Sequence, residues 1–153
     1  MDRIANKEAI LAIITDRIAS VKDLSAYRLL FVTSCVAGIG VILSKFILDG
    51  STVNDLLTKI VICFELLALL LSLGNAMGSY TSVWRLAEKM VEFKTKVMLM
   101  DGVDDPGAVL ADYDKAIGQL STEQQKFYAQ SYVTFGVGIV VGALYVAFRI
   151  WFR

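Results

Sequence analysis

The run VICFELLALLLSLGNAMG, residues 61–78, decides what kind of protein this chain is. It reads as one long apolar helix carrying a single carboxylate, Glu65. An ionised side chain at the centre of a bilayer-spanning helix costs about 2.5–3.5 kcal/mol on insertion scales. Either some role for Glu65 offsets that cost, or the side chain is neutral.

Working outward, the run belongs to LLTKIVICFELLALLLSLGNAM (56–77), one of three apolar segments. The others are LLFVTSCVAGIGVILSKFIL (29–48) and SYVTFGVGIVVGALYVAFRIW (131–151). About twenty helical residues at 1.5 Å each are enough to cross a hydrocarbon core of about 30 Å. Composition agrees: 56 % of the 153 residues are hydrophobic and one is proline, with a mean hydropathy of +0.61. That is too apolar for an ordinary water-soluble domain. The link DGSTVND (49–55) is short and rich in turn formers, so the first two spans form a tight antiparallel hairpin, with Asp55 placed to cap the second. The expected fold is an all-α membrane protein with three transmembrane helices, an N-terminal amphipathic helix and a cytoplasmic helical hairpin. Its parts are 1–28, the transmembrane hairpin 29–77, the helical region 78–130 and the third span 131–153.

Residues 1–28 place Ile4, Leu11, Ile14, Ile18 and Val21 on one helical face, with Lys7, Asp16, Arg17 and Lys22 elsewhere. Asp2 is positioned to cap this helix. It is too charged to span, and should lie on the membrane surface or pack on partner helices. The same charges argue against a cleavable signal peptide. Beyond Gly78 the second span continues as an amphipathic helix, with Val83, Leu86, Met90, Phe93, Val97 and Met100 on one face. DGVDDPG (101–107) breaks it; Asp105 and Pro106 read as the N-cap and first residue of a new helix. Ser121 and Gln124 fit a capping box, which predicts a further helix start at STEQ. Basic residues crowd the N-terminal segment and 78–130, placing both in the cytoplasm and the C-terminus outside.

Thr58, Glu65, Ser72 and Ser79 recur every seven residues, with Asn75 close to Ser72, and so form a polar stripe on one helix face. In a ring of subunits that stripe lines a central axis, and a ring of carboxylates attracts cations. The competing reading makes these residues interhelical glue, with Glu65 neutral or paired to Lys45 or Lys59. Ser34, Gly38, Gly40 and Ser44 in the first span and Gly136, Gly138 and Gly142 in the third allow close helix packing, within the chain or between copies. The Val83, Met90, Phe93 and Val97 face offers a surface to a partner polypeptide.

Other chemistry is missing from the sequence. There is no histidine, and the 15 basic and 15 acidic side chains cancel, which gives no footprint for nucleic acid. Cys35 and Cys63 both lie in apolar runs, behaving as small hydrophobes rather than a disulfide framework. No phosphate loop, zinc spacing or catalytic pair is present, so no enzyme, metal or cofactor is expected.

The segment SVWRLAEKMVEFKTKVMLMDG (82–102) is similar in character to the post-span helix of SLATT-type membrane effectors of bacterial conflict systems. Trp84, Arg85, Ala87 and Glu88 carry the likeness, which extends over roughly residues 1–120 as an N-terminal helix, a span hairpin and a long emerging helix. The third span departs from the two-span pattern and resembles instead the three-span membrane effectors of cyclic-nucleotide defence systems. The resemblance implies a pore-forming or membrane-disrupting effector, triggered by a nucleotide or protein partner in defence against phage. The residues themselves support a homo-oligomeric bundle in contact with lipid. In that bundle, rearrangement of 79–100 opens or closes a path at Glu65. The alternatives are a non-conducting scaffold or regulatory subunit that binds another membrane protein, and a phage holin, for which the cytoplasmic region is large.

Overall fold

A computed structural model describes residues 2–48 and 56–151, with the side chains of all of these but 45–48 and 149. The chain forms three helices, α1 (Arg3–Leu48), α2 (Leu56–Met98) and α3 (Pro106–Trp151), and no strand among the described residues. All three are long and apolar enough to cross a membrane. The 49–55 link and the proposed Asp55 cap lie outside the described residues.

The helix starts follow the side chains that satisfy their first N–H groups. Asp2 Oδ1 accepts from Ile4 N at 3.0 Å and caps α1. Asp105 Oδ1 accepts from Gly107 N at 2.9 Å and Ala108 N at 3.1 Å, so the one strong break in the sequence is the start of α3. The second expected start, at Ser121, does not occur: α3 passes through it uninterrupted. A capping box works only where the preceding backbone has left the helix, and nothing between Pro106 and Ser121 forces that.

The three helices contribute to two compact units. The first comprises residues 1–29 and 79–126. Its interior is Ile10, Ile14 and Ile18 of α1, Val83, Leu86, Met90 and Val97 of α2, and Tyr113 and Ile117 of α3. The apolar faces of all three helices therefore bury one another. This corrects the reading of Val83, Met90, Phe93 and Val97 as a face for a partner: Val83, Met90 and Val97 are at most 4 % exposed, and Phe93 packs edge-on against Tyr113. The first turn of α1 also holds the turn after α2. Asn6 Nδ2 donates to Val103 O at 3.1 Å, Val103 N donates to Arg3 O at 3.0 Å, and the Lys7 ammonium donates to the carbonyls of Met98 and Met100. Lys7 thus neutralises carbonyls that α2 leaves unsatisfied at its C-terminus.

The second unit comprises residues 30–78 and 127–153. Its surface is apolar, with Leu30, Val41, Leu67, Leu70, Val133, Ile139 and Leu144 each more than half exposed. Only 11 % of each apolar window is enclosed within the chain. A water-soluble protein does not leave apolar surface on this scale uncovered, whereas hydrocarbon is its natural solvent. Fold and surface together define a multi-pass membrane protein.

Candidate functional site

The seam between α2 and α3 in the second unit is built from hydroxyl-bearing and small residues, several of which recur every seven positions. Ser72 Oγ donates to Ser131 O at 2.8 Å. A Cβ on Gly138 would stand 3.3 Å from Ala68 Cβ, so the two backbones approach closely there. Glu65 lies against Gly142, where a Cβ would collide with its carboxyl. Farther along, Thr58 and Tyr145 share a short hydroxyl–hydroxyl bond. The numbers fall on one helix as they rise on the other, the register of an antiparallel pair. The α1 helix joins through Cys35, whose Sγ is 3.6 Å from Ser72 Oγ, and Gly38, which faces Leu69. Because the Ser72 hydroxyl hydrogen is committed to Ser131 O, the Cys35 thiol is the donor.

The polar stripe of α2 is therefore spent mostly inside the chain. Ser72 and Ser79 have no exposed surface. Ser79, in the first unit, donates to Gln124 O at 3.4 Å. Asn75 is half-buried. Glu65 differs from the others. It is half-buried, and among the described residues no cation or hydrogen-bond donor pairs with it. Lys59 stands exposed and does not reach it; the Lys45 side chain lies outside the described residues. The ion pairs Arg3–Asp104, Arg17–Asp114 and Lys89–Glu92 all belong to the first unit.

Glu65 also lines a cleft of about 340 Å³. Gly38, Val41 and Ile42 of α1, Leu69 of α2, and Phe135 and Ile139 of α3 form its walls. Among the described residues no three His, Cys, Asp or Glu side chains cluster as a metal site. Of the small residues, Gly38, Gly138 and Gly142 serve packing within the chain, while Gly40 and Gly136 face open space and Ser34 and Ser44 bond back to their own helix at Leu30 O and Val41 O.

Sequence reasoning found Glu65 but missed its surroundings: Gly142 as its seat, and Tyr145 and Cys35 as partners of the stripe. A signal existed. Ser131, Gly138 and Tyr145 repeat at seven residues on α3, and Arg28, Cys35 and Ile42 do so on α1. Of these, Ser131 and Cys35 meet Ser72, and Tyr145 meets Thr58. Arg28 itself is buried in the first unit, where Nη2 donates to the Gln124 amide oxygen at 2.6 Å once that amide is turned to face it.

No known protein family, curated protein or solved structure matches the chain.

Proposed function

We propose that the chain is a small inner-membrane effector that self-assembles and forms an ion path at Glu65, controlled through the helices of residues 1–28 and 78–130 on the cytoplasmic side, with the C-terminus outside. One observation carries this reading: in a stripe whose other heptad members are engaged, Glu65 keeps an unpartnered carboxyl in an apolar cleft. A lone carboxylate in a spanning helix is expensive as packing, and is accounted for if its partner is a mobile cation. With Thr58, Ser72 and Ser79 occupied inside the chain, the lining proposed for the path contracts to Glu65, with Asn75 beside it. Gly40, Gly136, Ser34 and Ser44 remain as small positions for contact between copies. A role in phage defence with a nucleotide or protein trigger is what the resemblance of 82–102 adds to this reading. The scaffold alternative has lost its proposed surface, because Val83, Met90 and Val97 are interior.

The test is reconstitution. Purified protein in nanodiscs is weighed by light scattering, and protein in liposomes is assayed for dissipation of a potassium gradient. A homo-oligomer is expected, with flux that falls at least about tenfold in Glu65→Gln. A monomer, no flux above empty liposomes, or equal flux in the variant would refute the proposal.

A further inference from the structure

We infer that the cleft at Glu65 is a binding site for organic monocations with an apolar body, such as quaternary aryl- or alkylammonium ions, and that an occupant there blocks the ion path. The inference rests on the reading of Glu65 as the cation site of that path. It deepens the reading by naming what the site selects.

The cleft complements such an ion in size and chemistry. The cleft, about 340 Å³, is at the small end of the range for ligand sites. Its walls supply aliphatic surface from Val41, Ile42, Leu69 and Ile139, the aromatic residue Phe135, and Glu65 as the one ionisable residue. Among the described residues the chain provides no counter-charge to that carboxyl, so an ionised Glu65 takes its positive partner from outside. A hard divalent ion is a poor fit. Calcium takes six to eight oxygen ligands and magnesium an octahedral set, whereas the side chains here offer a single carboxylate. Backbone carbonyls within the helices are committed to their own ladders. An organic cation needs no such shell. Its head meets Glu65, with Phe135 adding cation–π attraction, and its body replaces lipid against the aliphatic walls. Gly38 keeps the space open, and Gly142 makes room for the carboxyl. A Cβ at 142 would strike the carboxyl, and a side chain at 38, entering past Leu69 at an ordinary 3.5 Å, would fill the cleft.

The probe is phenyltrimethylammonium, whose charge does not titrate, with tert-butylbenzene as its uncharged counterpart of the same shape. Binding is read by equilibrium dialysis of radiolabelled probe against full-length protein in nanodiscs, with empty nanodiscs subtracted. Saturable binding of the cation is expected, weakened at least about tenfold by Glu65→Gln and by Gly38→Leu. The neutral counterpart should not distinguish Glu65→Gln from wild type. Monodisperse elution and unchanged helical circular dichroism check each variant. Ile42→Phe fills the cleft from a different helical position if Gly38→Leu fails that check. Equal affinity for wild type and Glu65→Gln, no saturable binding, or indifference to cleft filling would overturn the inference. Flux separates the two ideas. Cation binding that needs Glu65 and the open cleft, in a protein that passes no ions, removes the path and leaves the site. Glu65-dependent flux without cation binding removes only the inference.

Discussion

Replacing Tyr113 by phenylalanine deletes one oxygen from the centre of the first unit, and the structure sets both the sign and the size of the effect. Tyr113 is fully enclosed, and its hydroxyl makes no well-formed hydrogen bond, with the Arg17 guanidinium close by as a weak partner. A buried hydroxyl without a partner costs about 1–3 kcal/mol. Its removal recovers that penalty and leaves a void worth a few tenths of a kcal/mol at about 24 cal/mol per Å³. The ring contacts survive: Phe93 stays edge-on at 5.3 Å, and the Arg17 guanidinium stays 5.2 Å from the ring centroid. Tyr113→Phe should therefore be more stable by roughly 1–2 kcal/mol, or about 2–4 °C in Tm per kcal/mol for a chain of this size. A pH signature accompanies it. Burial raises the phenol above its usual range, against the opposing charge of Arg17. An acid held protonated in the folded state contributes stability that is present below its unfolded pKa, about 10, and lost as pH rises toward the folded value. The variant lacks that loss, so its advantage should widen above pH 10. Thermal unfolding of both proteins in nanodiscs, with hydrogen exchange of residues 1–29 and 79–126, measures both effects. Destabilisation by more than about 1 kcal/mol at neutral pH would mean that a donor holds the hydroxyl. The reasoning would then fail, with Arg17 the donor nearest to hand.

Three further outcomes are expected. Met90→Ala should cost about 2–5 kcal/mol in thermal unfolding, as for any enclosed methionine, because Met90 is 4 % exposed; unchanged stability would restore its face to a partner. Asp105→Ala should cost about 1 kcal/mol, with Asp105→Asn regaining most of it, since one oxygen accepts from both Gly107 and Ala108. Ser72→Ala should lose only about 0.6 kcal/mol, in the range measured for interhelical hydrogen bonds in membranes, because Ser131 O keeps the Thr134 hydroxyl at 3.1 Å. Ion flux through Ser72→Ala should match wild type; a large fall would put Ser72 in the path after all.

How much of this was legible from the residues depended on whether a signal is local. Three helices apolar enough to span could be read because hydrocarbon acts on every residue of a run alike, and the sum is unmistakable. The start of α3 could be read because Asp105–Pro106 combines a side chain that accepts from the first turn with a ring that fits only there. Ser121 and Gln124 show the limit of such motifs. The same residue types serve inside a helix, and in this chain Gln124 turns toward Arg28 instead of capping. The amphipathic faces were legible as faces but not as to what covers them. A stripe such as Val83, Met90 and Val97 is equally apolar whether its cover is another protein or α1 and α3 of the same chain. Here the covering side chains, Ile10, Ile14 and Tyr113, lie seventy residues back or some twenty ahead in the sequence.

The polar stripe shows what a sequence repeat leaves open. A seven-residue repeat of polar groups says that one face differs from the rest, and both a water-lined axis and a tight helix seam satisfy that. What separates them is the partner helix. Where α3 supplies a matching repeat of hydroxyl, carbonyl and glycine, the α2 groups are consumed in pairs. The mismatch then carries the information. At the turn where α2 offers a carboxyl, α3 offers only Gly142, which makes room and donates nothing. A seam built for stability alone would place serine or threonine at 65, as it does at 58 and 72. Glutamate there makes the carboxyl, and not the packing, the property that needs explaining, and this is why the tests above vary the carboxyl of Glu65 and the volume of its cleft separately.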